Sequence, residues 1–252
     1  MSAPAQPRGA KQDAPGRMSS LARIVGTFAA PGHTFADIVR EPHFILCWCV
    51  QVVVGVGFAA MMLHKVGAYE LARQTLMQSS RTRALDPAAL QTAINHSAKI
   101  FQYTMYFSPV ASIIVLLLLG WIFQGISNFL LGQEAGYKQT MSVVSHAFLT
   151  QTLFGILAMV VLALMADPTR FQLANPLGTN LGFFLDKSTT SAFVYAFGTH
   201  LDIISLWTVV LLSLGLAKLG GRKGKFGSAL GATASLWLLY CLVLAGVTAA
   251  VS

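Results

Sequence analysis

Asp202 is the only carboxylate that falls within, or at the edge of, a long apolar run of this 252-residue chain. It stands in the segment His200-Leu201-Asp202-Ile203-Ile204-Ser205-Leu206-Trp207. An ionised carboxylate at the centre of a membrane helix costs about 2.5–3.5 kcal/mol, and less near the helix end. Such a residue persists when a partner offsets the cost. Two chemistries fit the position. One is a proton or cation relay with His200. The other is a structural charge that caps a helix N-terminus or pairs with Lys187.

Two polar stripes recur at i, i+4, i+8, which places each on one helix face. Gly120, Gln124 and Asn128 form the first; Ser142, His146 and Thr150 form the second. If the two helices are antiparallel neighbours, Gln124, Asn128 and His146 meet at similar depth. That would make either a solute site or a set of interhelical hydrogen bonds, worth about 0.6 kcal/mol each on average. The candidate intramembrane polar site is therefore Gln124, Asn128, His146 and Asp202. A third pattern, Gly227-xxx-Gly231-xxx-Ser235, presents small residues on one face and lets another helix approach closely. The partner could be another helix of the chain or a second subunit.

Other chemistry finds no residues to carry it. There is no His-Glu-x-x-His, no Gly-x-Ser-x-Gly and no phosphate-binding loop in the sequence. The six histidines never fall at i, i+4, and no second carboxylate accompanies Asp202. Cys47, Cys49 and Cys241 all lie in apolar runs, and Cys47 and Cys49 point to different helix faces. Neither a disulfide nor a metal site is expected, and no cofactor or enzymatic activity.

The elements that must hold these residues are five apolar runs: Phe44–Leu63, Ser108–Leu131, Val143–Met165, Leu201–Lys218 and Ala229–Val251. Each approaches the roughly 20 residues that cross a bilayer core as α-helix. In hydrocarbon every backbone N–H and C=O must be satisfied within the segment, so each run should be helical. Charged residues make up only 10% of the chain, against about 25% in a soluble domain. The chain reads as an all-α polytopic membrane protein, a bundle of five transmembrane helices with short amphipathic extramembrane helices. The domain reading has three parts. Residues 1–18, rich in Pro, Gly and Ala, form a disordered tail. Residues 19–43 form an interfacial amphipathic segment, with Thr34, Asp37 and Arg40 polar against Phe35, Ile38 and Val39. Residues 44–252 form the membrane domain. Two extramembrane helices are expected over 65–80 and 87–107, the second opened by Asp86-Pro87 and running into the second span.

The net charge is +8. Basic residues that flank membrane spans set orientation and touch anionic lipid, which accounts for the charge without nucleic acid. The first 20 residues have no apolar core, so no signal peptide is expected. A cytoplasmic N-terminus places ten Lys and Arg inside and seven outside. The expected topology is therefore multi-pass in the cell (inner) membrane, N-terminus cytoplasmic and C-terminus outside. Expected partners are membrane lipids and a protein partner or a second copy of the chain.

Four segments together resemble the bacterial branch of the Yip family of five-span membrane proteins, over roughly residues 20–250. They are Phe28-Ala-Ala-Pro31-Gly-His-Thr-Phe35-Ala-Asp-Ile, Glu134-Ala-Gly-Tyr137-Lys-Gln-Thr140, Asn175-Pro176-Leu-Gly-Thr-Asn180-Leu-Gly and Leu201-Asp202-Ile-Ile-Ser-Leu206-Trp207. The resemblance implies a helical bundle with a cytoplasmic N-terminus. Eukaryotic relatives bind Rab-type GTPases in vesicle traffic. The segment Asp202-Ile-Ile-Ser-Leu-Trp is only a loose counterpart of their Asp-Leu-Tyr-Gly-Pro, so that role is not carried over. The expected function is a non-enzymatic membrane protein that organises membrane or recruits partners. The alternatives are a small transporter or channel, or a structural subunit of a larger membrane complex.

Overall fold

The computed structural model describes residues 17–77, 82, 84–173, 175–187 and 189–251. Most of the expected disordered tail, and Ser252, lie outside them. Ten α-helices are named here among the described residues: α1 Ser20–Ala29, α2 Pro31–Arg40, α3 Ile45–Lys65, α4 Ala68–Leu76, α5 Pro87–Gly125, α6 Tyr137–Ala147, α7 Leu149–Leu164, α8 Ala192–His200, α9 Ile203–Leu219 and α10 Phe226–Val251. The only extended pairing among these residues is Asn180 opposite Asp202.

The chain is an all-α polytopic membrane protein. Among the described residues, four helical stretches are long and apolar enough to cross a membrane: Ile45–Lys65, Pro87–Leu130, Tyr137–Leu164 and Phe226–Ala250. The fourth expected run appears as the shorter α9, of 17 residues, a length of about 26 Å. Its start falls at Ile203 rather than Leu201 because Leu201 closes α8 and Asp202 caps α9. The helices show apolar surface outward. Phe129 is 93% exposed and Leu164 81%, as apolar side chains facing lipid would be.

α5 starts at Pro87 with Asp86 as its N-cap, accepting from the N–H groups of Ala88 and Ala89. It is 39 residues long, about 58 Å, so it extends well beyond a bilayer core. Its extramembrane end packs on α4. Pro109 lies inside α5 and cannot donate to Met105. The Ser108 hydroxyl donates to that carbonyl at 2.9 Å instead. A π-helical turn, Ile126–Leu130, closes the span.

The core sits where α9, α6 and α2 meet, around Phe35, Ile38, Met141, Val143, Leu211 and Leu216. A second apolar cluster, with Met62, Leu71, Leu162 and Phe171, lies under α4 at the other end of the bundle. Gly215 lets α9 approach α6 and α2: a Cβ there would collide with Val143 Cγ1 and sit 3.1 Å from the Phe35 ring. A Cβ at Gly227 or Gly231 of α10 would meet nothing within 4 Å. With Ser235 these two glycines are exposed, while Ala229, Thr233, Cys241 and Ala245 form the buried side of the helix. The small-residue stripe therefore faces away from the chain's other helices. Gly215→Val should destabilise the protein by about 1–3 kcal/mol through overpacking, and Gly231→Val by less than about 0.5 kcal/mol. Thermal melts in detergent check this; equal effects would show that the two faces are packed alike.

Candidate functional site

Gln124 and Asn128 sit on the last turns of α5 and its π-turn, within reach of the loop leading to α6. Asn128 pairs with the backbone of buried Ala135 in both directions. Its Nδ2 donates to Ala135 O at 3.1 Å, and its Oδ1 accepts from Ala135 N at 2.8 Å. Gln124 Nε2 donates to the same carbonyl at 3.2 Å. Ser127 donates to Gln133 Oε1 at 2.6 Å. Gly132, at φ 64°, supplies the left-handed residue that reverses the chain here. The two amides thus fasten a connection between helices.

His146 is 2% exposed. Its Nδ1 lies 2.7 Å from Ser142 O, one turn back in its own helix. A carbonyl oxygen only accepts, so Nδ1 carries the proton in this arrangement. Among the described residues His146 shares no hydrogen-bond partner with Gln124 or Asn128. Depth explains the separation: nine residues along α6 from Tyr137 carry His146 about 14 Å from the helix start, while Asn128 lies at the connection. The stripe that begins at Ser142 does cross to another helix at Thr150. Its hydroxyl lies 2.6 Å from that of Thr208 on α9, and Gln151 Nε2 donates to Thr208 at 3.1 Å. Gln51 on α3 donates to Ser145 O at 2.7 Å.

Asp202 is the N-cap of α9. Its Oδ1 accepts from Ile204 N at 2.7 Å and from Ser205 N at 3.3 Å. Thr179 donates to its Oδ2. Two backbone bonds flank this contact, Leu181 N to Leu201 O at 3.2 Å and Ile203 N to Thr179 O at 3.3 Å. Asp202 therefore ties the loop around Thr179 to the start of α9, and the helix dipole favours its charge. Its partners are the backbone N–H groups of α9 and the Thr179 hydroxyl. His200 instead faces Tyr240, with ring centroids 6.2 Å apart.

The most deeply buried ion pair among the described residues lies outside this set. Arg23 of α1 is 2% exposed. Its Nε meets Asp37 Oδ2 of α2 at 2.8 Å, and its Nη1 donates to Glu41 O at 2.8 Å. Arg40 reaches the other Asp37 oxygen at 2.6 Å. Burial of Asp37 raises its pKa, but the hydrogen bonds and charges of Arg23 and Arg40 outweigh this and hold it below the usual carboxylate range. Thr34 is also fully buried. Thr34 and Asp37 of the polar side are thus folded inward, while Leu21 (68%) and Val25 (67%) of α1 point out. Gly26 makes this possible, since a Cβ there would strike Thr34 Oγ1. Local periodicity cannot show this burial, because Arg23 and Asp37 are 14 residues apart and meet only when α1 folds onto α2.

Among the described residues no group of three or more His, Cys, Asp or Glu side chains could hold a metal ion. Gln124, Asn128 and Asp202 are bonded to loop backbone or a helix start, and His146 to its own helix. The comparisons with known proteins bear on the same elements. Neither the curated proteins nor the solved structures provide a match. The family model of the Yip1 domain matches residues 25–248, from the middle of α1 to the end of α10. With that match covering nearly all of its helices, the chain belongs to the Yip1 domain family.

Proposed function

We propose that this chain is a non-enzymatic integral membrane protein that organises membrane or recruits protein partners, with five crossings made by α3, α5, α6 with α7, α9, and α10. The observation that carries this reading is how the bundle uses its polar groups. His146 is buried and bonded to its own helix, Asn128 and Gln124 are bonded to Ala135, and Asp202 is bonded to the start of α9. A solute path needs such groups facing water. The cavity of about 620 Å³ between α3, α5 and α7 is lined mainly by apolar side chains such as Val54, Phe58, Leu116 and Phe154. That lining suits an acyl chain better than an ion.

The N-terminus is cytoplasmic in this reading and the C-terminus outside, in the inner membrane of a bacterial cell. Support comes from the clustering of basic residues. The α2 end, the loop before α6 and the loop between α9 and α10 share one end of the bundle: Gln139 donates to Val39 O at 3.1 Å, and a Cβ at Gly220 would lie 2.7 Å from Gln133 Nε2. Arg40, Lys138, Lys218, Arg222, Lys223 and Lys225 lie in these segments or in the helix turns beside them, as the rule that cytoplasmic ends are basic requires.

Three experiments test the proposal. A C-terminal alkaline phosphatase fusion expressed in bacteria should be active and a C-terminal fluorescent-protein fusion dark; the reverse result overturns the orientation. Purified protein in proteoliposomes should support no proton or cation flux above empty liposomes. A flux that Asp202→Asn or His146→Ala abolishes would replace this reading with a transporter. Affinity purification in mild detergent should recover specific protein partners, or a second copy of the chain, above a tag-only control.

A further inference from the structure

A groove of about 650 Å³ lies where three helices begin, at Ser20 of α1, Ile45 of α3 and Tyr137 of α6. Two of these helices belong to membrane-crossing stretches, so the groove opens at the membrane edge. Its lining changes character along its length. Ile45, Leu46 and Cys49 line it along α3 and are exposed. Lys138 and His43 line it at the polar end.

The charge at that end is not neutralised by the protein. Lys138 is exposed and makes no ion pair among the described residues. The carboxylates near it along the folded chain are committed elsewhere: Asp37 to Arg23 and Arg40, and Glu41 to Arg17 at 2.6 Å. Glu134, one turn before Lys138, makes no ion pair with it either. Neither α3 nor α6 carries an acidic residue in its first turn, and no side chain caps α3. The start of α3 therefore keeps its positive partial charge, while at α6 Gln139 Oε1 accepts from Gly136 N at 3.2 Å.

An occupant of this groove must combine an anionic head with an apolar tail. We propose that the groove binds one anionic phospholipid, its phosphate against Lys138 and His43 and an acyl chain along Ile45, Leu46 and Cys49. A free phosphate would meet only exposed basic groups and leave the apolar walls unfilled. An acidic peptide would place polar backbone against the same walls. Basic pockets beside membrane helices that meet apolar surface are suited to anionic headgroups.

The test is the melting midpoint of the purified full chain in a non-ionic detergent, with phosphatidylglycerol, phosphatidylcholine or inorganic phosphate added. Phosphatidylglycerol should raise the midpoint by about 2–4 °C at saturation, and the other two should not. The double variant Lys138→Gln/His43→Gln should lose the shift, and Lys223→Gln, which removes a charge outside the groove, should keep it. Lys138→Glu alone changes one exposed side chain and must also lose the shift, so the proposal is tested even if the double variant folds poorly. Full retention of the shift in Lys138→Glu overturns the proposal. An equal shift with phosphatidylcholine, or with inorganic phosphate alone, overturns it as well.

Discussion

Asp37→Ala should cost the protein about 3–5 kcal/mol, because it leaves Arg23 as an uncompensated charge in a site that is 2% exposed. The pair closes α1 onto α2, and α2 in turn packs on α9 and α6. Losing it should free the segment before α3, so limited proteolysis around residues 17–43 should speed up along with the loss in melting temperature. Replacing both partners by apolar residues, Arg23→Met with Asp37→Leu, should recover most of the stability, since no charge is then buried alone. Arg40 loses its partner in that variant at little cost, because its side chain is 48% exposed. A single Asp37→Ala variant that melts within about 0.5 kcal/mol of the parent would remove the pair from the account of stability.

The same pair sets a pH dependence with a definite sign. The folded-state pKa of Asp37 is depressed relative to about 3.9 in an unfolded chain. The stability it contributes is therefore fully present above about pH 4 and is lost as pH falls through the folded value. Acid melts of the parent should fall in that range. The Arg23→Met/Asp37→Leu variant should show a flatter profile there, and an identical profile would show that other carboxylates dominate.

Asp202→Leu should cost about 0.5–2 kcal/mol, the range for a helix that loses its N-capping side chain. Ile204 N and Ser205 N would lose their acceptor, and the Thr179 hydroxyl would lose its partner on Oδ2. Asp202→Asn should cost under about 1 kcal/mol, because an amide oxygen still accepts and Asn is a good N-cap. Melts of the three proteins in one detergent decide the matter. A Leu variant no less stable than the Asn variant would show that the cap contributes nothing. An Asn variant that folds like the parent but loses partner binding or membrane phenotype would give Asp202 a role beyond the cap.

The class of the molecule was legible in its sequence. Lipid demands about 20 apolar residues per crossing and satisfies no backbone group, so a membrane helix must be written as a continuous run. Four long helices follow those runs. Asp86-Pro87 opens α5 where the cap chemistry places it, and that helix does run on into the span. The run that became α9 was legible too, though its first turn was not, since Leu201 could equally have continued the preceding helix.

What the polar groups do was decided by the tertiary structure. A stripe at i, i+4 shows only that residues share a face, not what that face meets. Gln124 and Asn128 reach Ala135 because the chain turns at Gly132. Thr150 finds Thr208 because α7 packs on α9. Gly227 and Gly231 carry the small-residue spacing yet face outward, while Gly215, in no such motif, permits the close approach. Arg23 shows the limit most clearly. Its neighbours Leu21 and Val25 would be expected to pack inward, yet they face out, and the charge turns in to meet Asp37. In a membrane protein apolar residues are at home on either side of a helix. Hydrophobicity therefore locates the helices, and the few charges and small residues that must find one another orient them.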